Sequence, residues 1–481
     1  MKIVKGHVFI RRCKWYLKKY CQSTGLHGFH YITDSHTLFQ STFWSIVCVF
    51  AAAFTVFLIS MQWYRYKTHR ITTSIGSIMY PLDKVPFPGV TLCSSNIVFG
   101  KYYKKFENML LHDGFSKGQI LDYFENLSSL VIYDDLAPHA DLKTYGRIIQ
   151  ALDLSGFNTE NVMKEVAQPC DELITNCYWK NRKINCSYIF VRSKTQSGFC
   201  CTLNFSNNTT TGVGQKLGLQ FDVDVVEEEY ISAIKPYYGL DVTLHQIDVY
   251  PETRYLGTPV AMGSDVQLSV VPEVVLATDE LRDMDIHIRE CLFEEESTLK
   301  WNYLYTFSGC KRKCEAEHLR NQCKCTPYYY PVEDNERVCT LLDLKCMRGY
   351  FYSGSGDESC SCLPPCIKYS YKYTVNAREV KTIIGYDDSI QGSRITVYFG
   401  DDQCVMIQRS ANLTWDALLA SIGGVFGLCL GGSVLSIIEL IYFFIKSIFC
   451  KYQEQKTPKK KNTIEKVWSP KLYVSDFKIR K

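Results

Sequence analysis

Twenty-eight residues from Leu418 to Ile445 carry a single charge, Glu439, among five glycines: Gly423, Gly424, Gly427, Gly431 and Gly432. Each glycine costs about 1 kcal/mol of helix propensity, so a plain apolar anchor has no use for so many. In lipid, small residues allow close helix packing, or a break that turns backbone carbonyls toward a water-filled path. A glutamate at membrane depth costs about 2.5–3.5 kcal/mol on insertion scales and ordinarily faces a bundle interior or a cavity. These residue types point to a pore-lining helix.

The other candidates for chemistry are ten cysteines between Cys291 and Cys366. The pairs Cys323-Lys324-Cys325 and Cys360-Ser361-Cys362 suggest metal ligation at first sight. No Cys-x2-Cys pair accompanies them and His318 is the one histidine among them, so disulfides are the better reading and no metal site is expected. Glu227-Glu228-Glu229 is read as a solvated loop face. HExxH, GxSxG and phosphate-loop signatures are absent, which argues against an enzyme.

The elements that position these residues follow from hydropathy and charge. Phe43 to Trp63 is a run of 21 residues without a charge, flanked by Trp44 and Trp63, which is a spanning length with interfacial aromatics. Residues 1–42 hold seven Lys/Arg against Asp34, and residues 446–481 hold eleven against three acids. The positive-inside rule therefore places both tails in the cytoplasm. Beside a membrane span, the basic tails read as orientation signals and anionic-lipid contacts, and no nucleic-acid partner is implied.

Seventeen of the 22 cysteines fall between the two spans, as do all six N-x-Ser/Thr sequons: Asn126, Asn185, Asn204, Asn207, Asn208 and Asn412. An oxidising, glycosylating compartment on that side fits both. The expected domains are a cytoplasmic N-terminus (1–42), a first transmembrane helix (43–63), an extracellular domain (64–417), a second transmembrane helix (418–445) and a cytoplasmic C-terminus (446–481). Within the extracellular part, residues 101–165 read as amphipathic helices. Leu217–Val225 and Val242–Ile247 alternate with period two, as half-buried strands do.

Several stretches resemble the degenerin/epithelial sodium channel family, and most of all its insect pickpocket branch. They are Gly431-Gly432-Ser433 with Val434-Leu435-Ser436, Glu439 and Tyr442; Leu418-Leu419-Ala420-Ser421-Ile422-Gly423-Gly424 upstream; His27-Gly28 before the first span; Phe87-Pro88-Gly89-Val90-Thr91-Leu92-Cys93; and Gly198-Phe199-Cys200-Cys201-Thr202-Leu203-Asn204. The resemblance implies an α+β membrane protein. Two transmembrane helices would flank a large disulfide-rich extracellular domain, a central β-sheet with peripheral helices, in a trimeric channel.

It implies Gly431, Gly432 and Ser433 as the selectivity filter, Ala420, Gly427, Leu428 and Glu439 as gate and pore, and His27 and Gly28 as a gating motif. It also implies the pairs Cys93–Cys200, Cys177–Cys186 and Cys170–Cys201. A nested ladder completes the set: Cys291–Cys366, Cys310–Cys362, Cys314–Cys360, Cys323–Cys346 and Cys325–Cys339, each closure contributing roughly 2–4 kcal/mol. Cys404 is left over. Acid-sensing members carry a Trp three positions before the ladder's first cysteine; here Ile288 stands there.

The expected function is therefore a sodium-selective, non-voltage-gated, amiloride-sensitive channel subunit of the plasma membrane. It would need no cofactor, with sodium as the permeant ion, and would assemble as a homo- or hetero-trimer. The resemblance does not identify an extracellular ligand or gating stimulus. The contrasting reading is a two-span, disulfide-rich receptor or adhesion subunit without its own pore. A featureless Leu-rich second span would favour that reading.

Overall fold

The computed structural model describes residues 18–35, 37–68, 70–134, 136, 140–205, 209–210, 212–297, 301, 303–332, 336–352, 360–380 and 392–456. The chain forms two compact units. One holds residues 71–411, and the other joins residues 1–70 to 412–481. The larger unit lies within the 64–417 span expected of an extracellular domain.

In the larger unit the period-two stretches pair as expected. An eight-stranded sheet has the order Ile71–Ser77, Val405–Ala411, Ser264–Ala277, Ser393–Phe399, Leu219–Val223, Ile174–Trp179, Arg182–Lys183, with Lys368–Glu379 also paired to Ser264–Ala277. Ser264–Ala277 is the longest strand. Its first half runs parallel to Ser393–Phe399 (Asp265 opposite Arg394), and its second half runs parallel to Val405–Ala411 (Glu273 opposite Val405). A five-stranded sheet places Gly89–Ser94 between Gly239–His245 and Gly198–Leu203. Val90, Leu92, Leu240 and Val242 from this sheet share one core with Leu219, Phe221, Leu268, Ile395 and Val397 from the other.

The helices Gly100–His112, Lys117–Glu125, Leu142–Leu154 and Thr159–Val166 fill the region read as amphipathic. Their buried faces (Phe106, Leu110, Phe124, Ile148, Leu152) pack with Leu319, Tyr328, Tyr329 and Tyr330 in a second core. The cysteine-rich segment is built on the helix Phe307–Cys323, from which Cys310 and Cys314 reach Cys362 and Cys360 on the returning chain.

In the smaller unit, helix α1 (Leu38–Thr68) is 31 residues long and apolar enough to cross a membrane. It extends beyond the expected 43–63 at both ends, taking in Arg65 and Lys67. The second apolar stretch is two helices, α2 (Trp415–Leu430) and α3 (Val434–Lys456). The expectation of a single helix over 418–445 is corrected here: Trp415–Leu430 and Val434–Lys446 pass the spanning test only as a pair, bent by 73° at the break.

Candidate functional site

The break falls on Gly431-Gly432-Ser433, and its cause is local. Gly431 lies in the left-handed region (φ 63°, ψ 20°), a conformation costly for any residue with a Cβ. Its N–H donates to the Gly427 carbonyl at 2.8 Å, and the Gly432 N–H donates to the Phe426 carbonyl at 3.4 Å. The first is the single bond of the αL motif, from the left-handed residue back to the fourth carbonyl before it, which ends a helix. A Cβ on Gly432 would lie 2.1 Å from the Phe426 ring, so the chain can fold back this tightly only because the residue is glycine.

Ser433 restarts the helix. Its carbonyl accepts from the Ser436 and Ile437 N–H groups, and its own N–H donates to the buried Ser436 Oγ at 3.2 Å. This is half of a capping box, with serine in the place of the usual Glu or Gln. The carbonyls of Gly431 and Gly432 fall between the ladders of α2 and α3.

His27 and Gly28 come to this same break. The His27 N–H donates to the Leu430 carbonyl at 2.8 Å, satisfying an acceptor that the end of α2 leaves open. The His27 ring covers Gly431 so closely that a Cβ there would lie 2.5 Å from Cγ, Cδ2 and Nδ1. Gly28 is also left-handed (φ 84°) and starts the short helix Phe29–Asp34. A Cβ on Gly28 would lie 2.7 Å from Cys48 Sγ of α1.

Three further contacts hold the segment in place. Tyr31 stacks on Trp44 at 4.7 Å, Ser41 Oγ donates to the Ile32 carbonyl at 3.0 Å, and Tyr20 meets Phe443 edge-on at 5.5 Å. Histidine, glycine and the Gly-Gly-Ser tripeptide, about 400 residues apart in sequence, thus meet at one site in the fold.

Ala420, Gly424, Gly427 and Gly431 recur at i, i+4, i+7 and i+11, which puts them on one face of α2. Ala420 and Gly424 are exposed, Leu428 is 86% exposed, and Glu439 on α3 is half-buried.

Eight disulfides form among the described residues: Cys93–Cys200, Cys170–Cys201, Cys177–Cys186, Cys291–Cys366, Cys310–Cys362, Cys314–Cys360, Cys323–Cys346 and Cys325–Cys339. These are the pairs implied by the resemblance. Cys314, His318 and Cys360 form the one cluster of three metal-type ligands among the described residues, and its two sulfurs are joined to each other. Cys404 is fully buried, and burial followed by the nearby Glu273 pushes its thiol up to about 11.

The sequons differ from one another. Asn204 and Asn412 are exposed, and Asn185 Oδ1 caps the turn at Ser187 N. Asn126 Nδ2 donates to the Asp122 carbonyl at 2.7 Å and to Tyr145 Oη at 3.0 Å. Asn207 and Asn208 lie outside the described residues.

Sequence reasoning missed Arg289, immediately after Ile288. It is 1% exposed and donates to the carbonyls of Cys291, Leu281, Arg282 and Met284 at 3.0–3.3 Å, and it pairs with Glu296. No periodicity marks such a residue. The one available hint is its place two residues before Cys291.

Residues 20–443 match the family described as amiloride-sensitive sodium channel. Pickpocket protein 11 of Drosophila melanogaster is 24% identical over 436 residues, covering 88% of this chain and 74% of the relative. The bile acid-sensitive ion channel of Mus musculus is 25% identical over 465 residues, covering 89% and 87%. The epithelial sodium channel subunit beta of Homo sapiens is 24% identical over 328 residues, covering 61% and 50%. The match covers most of the chain, with its disulfide-rich, sheet-containing domain and long apolar helix, and the family it matches is one of ion channels, which points away from an enzyme. The chain belongs to the amiloride-sensitive sodium channel family.

Proposed function

We propose that the protein is a subunit of a sodium-selective, non-voltage-gated cation channel of the plasma membrane. α1 and the bent pair α2–α3 are its two spans, and both termini lie in the cytoplasm. Three such subunits, identical or related, surround one pore, each contributing Gly431, Gly432 and Ser433 to a ring of carbonyls and hydroxyls that replaces part of a sodium ion's water shell.

The observation that carries this reading is the break itself. Irregular backbone at membrane depth is tolerated only where it is buried in protein or lines a water-filled path, and the Gly431 and Gly432 carbonyls stand outside both helical ladders. The small face of α2 at Ala420, Gly424 and Gly427 suits close approach of neighbouring copies about the axis. Ala420 is assigned to the gate, Leu428 and Glu439 to the pore wall, and Gly427 to the contact with amiloride-type blockers. The negative extracellular part, net about −9 between the spans, concentrates cations at the entrance.

The test is a recording from a null cell expressing the chain, with external sodium replaced by potassium. Wild type is expected to show a larger inward current in sodium. Ser433→Cys is expected to shift the reversal potential toward potassium or to admit block by cadmium. A Ser433→Cys channel at normal surface density, with unchanged selectivity and no cadmium block, would remove Ser433 from the filter. A receptor subunit without a pore would pass no current in any solution.

A further inference from the structure

The disulfide ladder begins at Cys291–Cys366, and the buried guanidinium of Arg289 lies at that end of it. Its nitrogens divide their bonds between two parts of the chain. Nη1 donates to the carbonyls of Leu281, Arg282 and Met284, on the turn that follows the long strand Ser264–Ala277. Nε donates to the Cys291 carbonyl and Nη2 to the Glu296 carboxylate, both on the ladder side. That carboxylate also accepts from the Phe293 N–H at 2.9 Å, and the guanidinium lies 5.1 Å from the centre of the Phe293 ring. One planar group thus fastens the turn to the first rung. Between Arg289 and Cys291, Glu290 is held in the left-handed region (φ 50°), a conformation unfavourable for a residue with a Cβ.

On its other side the turn is fastened to the strands that lead into the spans. The Thr278 N–H donates to the Arg409 carbonyl at 2.9 Å, and Arg409 lies in Val405–Ala411, the strand that precedes α2 in the chain. Leu281, Cys291, Phe293 and Cys366 form a small core of their own, against which Ile71 packs. Ile71 opens the strand that follows α1, and it pairs with Ala411. A continuous set of contacts therefore runs from the ladder through Arg289 to the turn and on to both strands, all within the larger unit. A lysine has its donors on a single nitrogen and cannot hold both sides as the rigid fork of an arginine does.

We propose that Arg289 is a positioning residue for gating: it carries displacement of the disulfide ladder into the paired strands Ile71–Ser77 and Val405–Ala411, and so to α1 and α2. The gating half rests on the channel reading above; the link between ladder and strands does not.

The experiment uses the full chain in a null cell, with single-channel recording beside surface biotinylation. Arg289→Lys keeps the charge and loses the fork. It is expected to change open probability by about fivefold or more, with unitary current and reversal potential unchanged because the pore is untouched. Arg394→Lys is the control. Arg394 holds the buried Asp222 through Nε at 2.8 Å and Nη2 at 3.2 Å, in the same unit but on the strand Ser393–Phe399, which takes no part in these bonds. Its open probability is expected to stay near that of wild type. An Arg289→Lys channel gating as wild type does would overturn the proposal. Equal changes in the two variants would also overturn it, by making Arg289 one structural arginine among others. If Arg289→Lys fails to reach the surface, Glu296→Gln keeps the acceptor and loses the charge. A change of about twofold is then expected, and unchanged open probability would count against the clamp.

Hydrogen exchange on the detergent-solubilised protein reads the link without current. Peptides covering 278–284 and 405–411 are expected to exchange faster in Arg289→Lys than in wild type, by about threefold, while those covering 219–223 do not change. Unchanged exchange at 405–411 would overturn the link. If wild type passes no current, the channel reading fails and the gating role with it, while exchange still decides whether Arg289 joins the ladder to the strands.

Discussion

At the scale of single residues, the sequons show how a motif match and a usable site part company. A glycan is carried on the asparagine amide nitrogen, and in Asn126 that nitrogen is spent on the Asp122 carbonyl and Tyr145 Oη. A sugar there replaces one of the two amide hydrogens, so at least one of these bonds is lost, at about 0.5–1.5 kcal/mol, and the sugar must also fit against the buried Tyr145. Asn204 and Asn412 are exposed. Glycopeptide mapping of surface protein is expected to find sugar at Asn412 and Asn204 and none at Asn126; occupied Asn126 in folded protein would contradict the packing. Cys404 follows the same logic. Read as a leftover thiol open to labelling if exposed, it is fully buried, so native protein is expected to resist alkylation there until unfolded.

At the scale of elements, the α2–α3 break depends on two glycines and one imidazole. Gly431→Ala adds about 1–2 kcal/mol of left-handed strain and drives a methyl into the His27 ring, which would lie 2.5 Å away. The expected outcome is loss of most current at unchanged surface density, measured by surface biotinylation beside whole-cell recording. If ring contact is a large part of the cost, the effect of Gly431→Ala should be smaller in a His27→Ala background, as a double-mutant cycle would read. Equal losses in both backgrounds would leave backbone strain as the whole cause.

The elements also show what was legible in the chain and what was not. The strands at Gly89–Ser94 and Gly239–His245 were legible, because alternation with period two survives burial. The eight cysteine pairs were legible only through the family pattern, since spacing alone leaves many connectivities open. The break at Gly431 was legible only in part: the glycines left close packing and a broken helix both open, and a φ value leaves no mark on an apolar profile. The bond from His27 to Leu430 was not legible, since it joins positions that no local rule connects. Arg289 was hidden for a different reason. A charged residue reads as surface, and the four carbonyls around it together with the Glu296 carboxylate offset the cost of its burial.

At the scale of the whole molecule, acid acts on the larger unit through His245. Burial holds its imidazole down to about 4, with Nδ1 against the Gln246 carbonyl at 2.6 Å and Nε2 against Thr91 Oγ1 at 2.7 Å. The folded-state value lies below the unfolded one of about 6.5, so the unfolded chain takes up the proton first. The stability is therefore complete above about pH 6.5 and is lost as pH falls toward 4. A gap of this size corresponds to about 3 kcal/mol. Thermal melts of the detergent-solubilised protein between pH 7.5 and pH 4 are expected to fall more steeply for wild type than for His245→Gln; parallel curves would clear His245 of the effect.

The strand Ser264–Ala277 has a mechanical consequence. It borders Lys368–Glu379 antiparallel along twelve residue pairs, and on its other side it runs parallel first to Ser393–Phe399 and then to Val405–Ala411. Hydrogen bonds across an antiparallel pair lie perpendicular to the strands. A pull along the strand therefore loads all of them together, whereas a pull at right angles would open them one at a time. The strand that leads through Ala411 to Asn412 and on to α2 is bonded at its side to this long strand. Tension entering at Val405–Ala411 is met in shear by its perpendicular bonds to the antiparallel Ile71–Ser77, and its slanted bonds to the parallel long strand share the load.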